Sequence, residues 1–227
     1  RDYLEALVGI ADEYAQTHAD VELFHMSYDE FRRDVFKLVD NIEHGSRRIS
    51  SFVANLREFS QDNGSRRKEW LDLTSITEKV LTICRSQIKK RVKTFDENIP
   101  EGLPPIYADA YSIEQVLLNL ILNAVQAADK KDSRVALTAT GGTSWQDHTI
   151  ITVSDNGCGM DQKTMQKIFD PFFTTKSTAD GTGLGLYVCH NLVQGLGGRI
   201  EVESEPGKGS TFTITIPDKD RRRVPRN

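Results

Sequence analysis

Leu117-Leu-Asn-Leu-Ile-Leu-Asn123 is the stretch that decides how this chain folds. Its two asparagines, Asn119 and Asn123, are four residues apart, so on a helix they lie on the same face. Apolar side chains surround them, and buried amides are costly unless each has a hydrogen-bond partner or a ligand. An asparagine oxygen is a hard ligand that suits Mg²⁺. Taken alone, the pattern fits a metal site and a pair of satisfied core amides equally well.

A second segment, Asp155-Asn-Gly-Cys-Gly159, follows an alternating apolar pattern that predicts a β-strand. Glycines there permit a tight turn and a close approach of the backbone to a flat ring. A carboxylate at the strand end can accept a hydrogen bond from an exocyclic amine such as that of adenine. The alternative interpretation is an ordinary Asp-Asn-Gly turn that ends the strand.

A third segment, Gly181-Thr-Gly-Leu-Gly185, opens a predicted helix. Glycines at a helix N-terminus expose N–H donors and the positive end of the helix dipole, which suits an anion such as phosphate. The preceding residues 169–182 are rich in Phe, Thr, Gly and Ser, and such a segment can close over a ligand as a lid. Lys176 is the only basic residue in that segment, and it either reaches phosphate or is a solvated surface lysine.

The flanking sequence predicts an alternation of helices and strands. Ser75-x-x-Glu78 predicts a capping box for a helix that ends near Arg91, and Asp109 is placed to cap a helix that ends near Ala128. Further helices are predicted at residues 162–168 and 183–196, and strands at residues 70–73, 135–140, 149–154, 199–204 and 210–216. We therefore expect an α/β sandwich over residues 68–218, with helices covering one face of a mixed sheet.

The N-terminal part carries a regular heptad pattern that predicts a long helix over residues 31–59. Residues 4–14 repeat the pattern briefly, and the polar residues 17–29 predict a connection between two helices. We call the heptad positions the seam; they are Phe31, Val35, Leu38, Ile42, Gly45, Ile49, Phe52, Leu56 and Phe59. An antiparallel hairpin over residues 1–62 cannot bury this seam alone, so a second copy would complete a four-helix bundle. The alternative is that the seam packs on its own chain. The fold class expected for the whole is α+β.

Charge and composition exclude several classes of partner. The 227 residues have a net charge of −4, so nothing argues for nucleic acid, and the basic tail 219–227 is interpreted as solvated. Three cysteines without metal-ligand spacing fit a reducing compartment. No apolar run reaches the ~20 residues that span a bilayer. We expect a cytoplasmic protein whose membrane association, if any, comes from segments upstream of Arg1, because the chain starts inside a helical pattern without Met.

The three segments, together with Phe169-Asp-Pro-Phe-Phe173, resemble in order and spacing the N, G1, F and G2 boxes of the two-component sensor histidine kinases. Those kinases share a superfamily with DNA gyrase, heat-shock chaperones and mismatch-repair ATPases. The resemblance covers roughly residues 70–217, and the hairpin resembles the dimerisation and phosphotransfer domain of the same kinases. It implies binding of ATP with Mg²⁺, a homodimer, and transfer of the γ-phosphoryl group to a histidine and then to an aspartate of a response-regulator receiver domain.

The resemblance also implies roles for individual residues. Asn123 is the metal ligand, Asn119 is its partner near the phosphates, and Asp155 binds adenine. Asn119 and Lys176 are the expected catalytic residues. The other expected nucleotide contacts are Gly157 and Gly159 around the adenine, Phe173 in the lid, Gly181, Thr182, Gly183, Leu184 and Gly185 at the phosphates, and Thr211 near the adenine.

Two departures from the family pattern matter. The gyrase-like ATPases carry a glutamate four residues before the metal asparagine, whereas Asn119 is neutral and cannot take a proton from water. Poor hydrolysis is expected, which favours a kinase over a gyrase-like ATPase. None of the five histidines is followed by an acidic residue, as the acceptor in sensor kinases is. We expect the acceptor upstream of Arg1 and no autophosphorylation of this fragment; a degenerate nucleotide-sensing scaffold that dimerises remains the other alternative.

Overall fold

The computed structural model describes residues 2–18, 22–23, 25–60, 67–141, 148–176 and 181–217. The chain divides into two units, residues 1–61 and 62–227. The predicted tail 219–227 lies outside the described residues. Within the described part of the chain, no helix is both long and apolar enough to cross a membrane.

The N-terminal unit is a helical hairpin. Its elements are α1 (Asp2–Thr17), β1 (Glu22–Leu23), β2 (Met26–Ser27) and α2 (Tyr28–Ser60). The Tyr28 hydroxyl donates a 2.8 Å hydrogen bond to the Asp12 carboxylate, and Arg32 pairs with the same carboxylate at 3.0 Å. These contacts bring the start of α2 alongside α1, and the predicted hairpin is confirmed. The polar connection additionally forms a two-stranded antiparallel ribbon that its composition did not indicate.

The second unit is built around a five-stranded mixed sheet in the order β4-β6-β7-β9-β8. Its elements are β3 (Glu69–Leu71), α3 (Leu73–Arg91), β4 (Thr94–Asn98), β5 (Ile106–Ala108), α4 (Ala110–Ala127), β6 (Arg134–Gly141), β7 (His148–Asp155), α5 (Gln162–Met165), α6 (Gly185–Gly195), β8 (Arg199–Glu205) and β9 (Gly209–Pro217). Strands β4 and β6 are parallel, and the other pairs in the sheet are antiparallel. Strands β3 and β5 form a separate antiparallel ribbon.

The core lies between one face of this sheet and the helices. Alternate residues of the central strands are buried, as in Val135 and Leu137 of β6 and Ile151 and Val153 of β7. Helix α4 buries an apolar face against them and also packs on α3 and α6. Each large apolar side chain buried in this way stabilises the fold by about 1.5–3 kcal/mol relative to exposure to water. The predicted sheet covered on one face by helices is therefore confirmed.

Helix starts and edge strands show where the sequence interpretation was wrong. Asp109 caps α4 as predicted, because its carboxylate accepts a 3.0 Å hydrogen bond from the Ser112 N–H. Helix α3, in contrast, begins two residues before Ser75, and its cap is Asp72, which accepts from the Thr74 N–H at 3.1 Å. Strands β4 and β5 were not predicted, because β4 is polar and β5 has only three residues.

Candidate functional site

Asp155 is the last residue of β7, and its carboxylate is held by main-chain donors. The Gly157 N–H donates to it at 2.8 Å, and the Ser210 N–H of β9 donates to it as well. Burial raises the pKa of this carboxyl, and its two backbone hydrogen bonds lower the pKa by less. Of its charged neighbours, Asp129 raises the pKa and Lys130 lowers it. The result is a partly buried acceptor at a strand end, suited to a ligand that carries a hydrogen-bond donor.

Three glycines make the surroundings of Asp155 a wall of main chain. A Cβ on Gly157 would lie 2.2 Å from the Ala127 carbonyl oxygen at the end of α4. Gly159 has a φ of +64°, and its Cβ would lie 2.0 Å from the Glu205 carbonyl oxygen. Gly209, which the sequence interpretation did not single out, has a φ of +110°, and its Cβ would lie 2.0 Å from the Asp155 carbonyl oxygen. Only a residue without a side chain fits at these positions.

One turn before the end of α4, the predicted metal ligand Asn123 contacts the lid lysine. The Lys176 ammonium donates to the Asn123 Oδ1 at 2.9 Å and also to the Gln126 Oε1. Gln126 was missed by the sequence interpretation, although it lies three residues after Asn123 and therefore on the same helix face. The structure thus presents two amide oxygens to a cation at this place.

That arrangement fits Mg²⁺ in a particular way. The described residues hold no cluster of three or more His, Cys, Asp or Glu side chains that could bind a metal ion by themselves. Mg²⁺ in nucleotide sites commonly rests on few protein oxygens, with phosphates and water completing its shell. An Asn123 oxygen that already contacts an ammonium group has the chemistry for such a site.

Asn119 lies beside the N-terminus of α6. A Cβ on Gly185, the first residue of α6, would lie 3.4 Å from the Asn119 Oδ1. The Cys189 thiol on α6 donates to the Val116 carbonyl at 3.9 Å; burial raises its pKa to about 12, and the Asn119 amide opposes this by lowering it. That thiol is therefore neutral at pH 7. Leu184 precedes the helix without a side-chain cap, so the first N–H groups of α6 suit an anion.

The two ends of the predicted lid pack against each other. Gly183 has a φ of +69°, and its Cβ would lie 2.3 Å from the Phe172 carbonyl carbon. A Cβ on Gly181 would lie 2.5 Å from the Thr174 hydroxyl. Phe172 itself has a φ of +67° and is 55% exposed, whereas Phe173 packs against the core. The main chain at Phe172 and the main chain at Gly183 are therefore in close contact. Residues 177–180, which belong to the predicted lid, lie outside the described residues.

The structure does not bring Thr211 to Asp155. In the β7–β9 register Thr211 is opposite Ser154, and Ser210 is opposite Asp155. Opposite residues in an antiparallel pair share a face, so Ser210 and not Thr211 lies on the face of Asp155. The Ser210 hydroxyl is buried and lies 3.0 Å from the Ser204 hydroxyl. Finding Ser210 required the strand register, which the sequence pattern alone did not supply.

Known proteins are similar to this chain in sequence. Residues 108–220 match the family described as histidine kinase-, DNA gyrase B-, and HSP90-like ATPase. The signal transduction histidine-protein kinase AtoS of Escherichia coli (strain K12) is 35% identical over 190 residues, which are 84% of this chain and 29% of AtoS. The sensor histidine kinase ZraS of the same strain is 38% identical over 155 residues, or 68% of this chain and 32% of ZraS. The chain thus spans about a third of the length of these relatives.

Solved structures give the same result. The catalytic domain of the histidine kinase ThkA superposes with a TM-score of 0.58 at 29% identity, covering 67% of this chain and 96% of that domain. ThkA in complex with the response regulator protein TrrA gives a TM-score of 0.64 at 22% identity, covering 96% of this chain and 58% of that one. At that identity the second similarity supports the fold alone.

Proposed function

Since residues 108–220 form a sensor histidine kinase catalytic domain of the histidine kinase-, DNA gyrase B-, and HSP90-like ATPase family, we propose that the chain binds ATP with Mg²⁺ for phosphoryl transfer to a histidine. One observation carries the proposal. Helix α4 has Asn119 near its middle and Asn123 one turn before its end at Ala127, whose carbonyl accepts a 3.2 Å hydrogen bond from the Cys158 N–H in the turn that follows Asp155. Asn119 and Ala127 are eight residues apart, about 12 Å along the helix axis, so one helix joins the proposed phosphate end and the proposed adenine end of the site.

The adenine end of the proposed site is the Asp155 turn. The Asp155 carboxylate accepts a hydrogen bond from the exocyclic amine, and Gly157 and Gly159 let the ring approach the main chain. In this proposal Ser210, the register partner of Asp155, takes the place near the adenine that the family resemblance gave to Thr211.

The phosphate end is formed by α4, the lid and the start of α6. The N–H groups of Gly185 and the residues before it donate to phosphate oxygens; those residues are Gly181, Thr182, Gly183 and Leu184. Asn123 holds Mg²⁺, which when bound neutralises charge on the transferred phosphoryl group. Lys176 exchanges its amide partners for a phosphate oxygen, and Phe173 anchors the lid to the core while it does so.

Asn119 decides between transfer and hydrolysis in this proposal. Its side chain is a neutral amide, which cannot act as a general base for water. A nucleophile that needs less help than water, such as a histidine ring, is therefore the better acceptor. A gyrase-like ATPase, the other enzyme class considered, is disfavoured by the same residue.

We propose two macromolecular partners. ThkA is known in complex with TrrA, a response regulator, and the receiver domain of such a protein would accept the phosphoryl group from the histidine. A second copy of this chain would pair through the hairpin. The proposed location is the cytoplasm, with any membrane attachment supplied by segments upstream of Arg1, and nucleic acid is not a proposed partner.

Calorimetric titration with ATP and MgCl₂ tests the site. Asp155→Ala should weaken ATP binding by about 1.5–3 kcal/mol, because it removes a hydrogen bond to a charged group. Asp96→Ala removes an exposed carboxylate on the edge strand β4 and serves as the matched control with unchanged affinity. Equal affinities for ATP in the wild type and Asp155→Ala would reject Asp155 as the adenine reader.

Phosphorylation with labelled ATP tests the acceptor proposal. The chain alone should acquire no acid-labile phosphate, and a longer chain that includes the upstream segment should acquire it. Labelling of any of the histidines present in this chain would place the acceptor here instead; they are His18, His25, His44, His148 and His190.

A further inference from the structure

Lys130, three residues after α4, joins two turns of the ATP-binding unit. Its ammonium donates to the Asn156 carbonyl oxygen at 2.5 Å and to the Gly207 carbonyl oxygen at 2.6 Å. Asn156 follows Asp155 directly, and Gly207 lies in the turn between β8 and β9. A single charged side chain therefore contacts both walls around the Asp155 carboxylate.

The two turns depend on each other for their geometry. The Gly207 N–H donates to the Cys158 carbonyl at 2.7 Å, and the close contact between Gly159 and the Glu205 carbonyl lies in the same place. On its other side Asn156 is fixed to β6, because its Oδ1 accepts from the Arg134 N–H at 2.7 Å. The position of the Asp155 carboxylate relative to the Ser210 N–H therefore depends on how the two turns are held together.

We propose that Lys130 is a positioning residue that sets base recognition: by fixing the Asn156 and Gly207 carbonyls it orients the Asp155 carboxylate toward the exocyclic amine of adenine. The inference rests on the proposed function, because it assumes that Asp155 reads the base. Lys130 donates to the two turns near Asp155 and not to the residues of α4 and α6 that are predicted to bind phosphate. It therefore acts at the adenine end of the nucleotide.

The charge of Lys130 supports the same role. Burial raises the pKa of Asp155, and the two charged groups that act on it are Asp129, which raises the pKa further, and Lys130, which lowers it. An ionised carboxylate accepts a hydrogen bond from an amine more strongly than a protonated carboxyl does, because a charge-assisted hydrogen bond is stronger than a neutral one. Lys130 therefore favours the form of Asp155 that binds adenine, besides fixing its orientation.

The experiment compares ATP with inosine triphosphate, which carries an oxo group in place of the exocyclic amine. Calorimetry in MgCl₂ gives the ratio of the two affinities for the wild type, Lys130→Met, Lys130→Arg and Lys131→Met. Lys131 is exposed and next along the chain, so its variant matches the lost charge. Lys130→Arg keeps the charge and can donate to both carbonyls, so it tests the proposal even if Lys130→Met folds poorly.

We expect the wild type and Lys131→Met to prefer ATP. Lys130→Met should lower the ATP preference by about tenfold, because a hydrogen bond to a charged group is misaligned, while its affinity for inosine triphosphate stays the same. Lys130→Arg should restore most of the preference. The loss of ATP affinity on acidification should also begin at a higher pH in Lys130→Met than in the wild type.

Two results would overturn the inference. Equal losses of affinity for both nucleotides in Lys130→Met, or no loss, would show that Lys130 only stabilises the turns, while ATP preference in the wild type would leave the proposed function intact. A wild type that binds both nucleotides equally, or neither, would instead remove the base-reading role of Asp155, and the inference would fall with it.

Discussion

Asp155 combines a functional charge with an unfavourable environment for that charge. Because the pKa of Asp155 is raised, the folded chain binds the proton more tightly than the unfolded chain does. Protonated Asp155 therefore contributes its full share to the free energy of unfolding below its ordinary pKa of 3.8, and this contribution is lost as pH rises through the folded-state pKa. Asp155→Asn should therefore raise the free energy of unfolding at pH 7, and the difference should shrink as pH falls toward 3.8.

Thermal unfolding at a series of pH values measures this difference. Asp96→Asn, at an exposed position, is the control and should stay within about 0.5 kcal/mol of the wild type. An Asp155→Asn variant that is less stable than the wild type at pH 7 would show that the two main-chain hydrogen bonds outweigh burial.

Two glycines with similar backbone angles allow the energetic cost of backbone strain to be distinguished from the cost of a steric clash. Gly159 has a φ of +64° and Gly207 a φ of +76°, but nothing lies within 4 Å of a Cβ on Gly207. Gly207→Ala should cost about 1–2 kcal/mol for the left-handed conformation alone. Gly159→Ala meets the Glu205 carbonyl as well and should cost clearly more. Denaturant unfolding followed by tryptophan fluorescence measures both, and equal losses would mean that the turn relaxes around the new methyl group.

At the residue scale, the sequence predicted side chains whose chemistry is local. Asn119, Asn123 and Asp155 stand out in the sequence because amides on an apolar helix and a carboxylate before glycines are unusual in any tertiary fold. Lys130 and Ser210 could not be recognised in this way. Their roles depend on which carbonyl or strand lies opposite, and tertiary pairing decides that.

Helix α4 is the element on which the candidate site depends, and its start is capped by one carboxylate. Asp109 is 8% exposed and accepts from the Ser112 N–H at 3.0 Å. Asp109→Ala should lower the free energy of unfolding by about 0.5–2 kcal/mol, because a helix N–H loses its partner. Asp109→Asn keeps an acceptor oxygen and is the matched control with a smaller loss. Denaturant titration distinguishes them, and equal losses would assign the effect to charge instead of capping.

Elements with a strong apolar period were predicted well, and elements defined by their neighbours were not. The alternation in β6 and β7 and the apolar face of α4 follow from the sequence alone. Strand β4 has the polar sequence Thr94-Phe-Asp-Glu-Asn98 and forms because β6 offers it an edge to pair with in parallel. The predicted start of α3 was wrong because Asp72 and Ser75 can both accept a hydrogen bond at a helix N-terminus. Their spacing in the sequence does not show which of the two caps the helix.

At the scale of the whole molecule, the seam of α2 predicts that two copies of the chain pair. Leu38 is 59% exposed and Ile42 is 62% exposed, although both are heptad positions. Pairing with a second copy would bury them, each with a gain of about 1.5–3 kcal/mol when burial is complete. Ile42→Asp should therefore shift the chain from dimer to monomer in sedimentation velocity and leave ATP binding unchanged, because the nucleotide site belongs to the other unit.

Asn41→Asp adds the same charge one position earlier, outside the seam, and should leave the dimer unchanged. A wild type that stays monomeric at high concentration would contradict the proposed pairing. The heptad spacing predicted the hairpin because it is a property of one chain, whereas pairing involves two and needs this separate measurement.

The main-chain wall around Asp155 has a consequence for inhibitors and for the mutations that evade them. A compound that contacts the peptide groups of Gly157, Gly159 and Gly209 touches atoms that substitution cannot replace. Any side chain at these positions collides with a carbonyl oxygen 2.0–2.2 Å away, so a mutation there damages nucleotide binding together with inhibitor binding. Resistance would have to arise at neighbouring side chains, such as the partly buried Met160, and compounds that avoid these side chains should keep their potency longest.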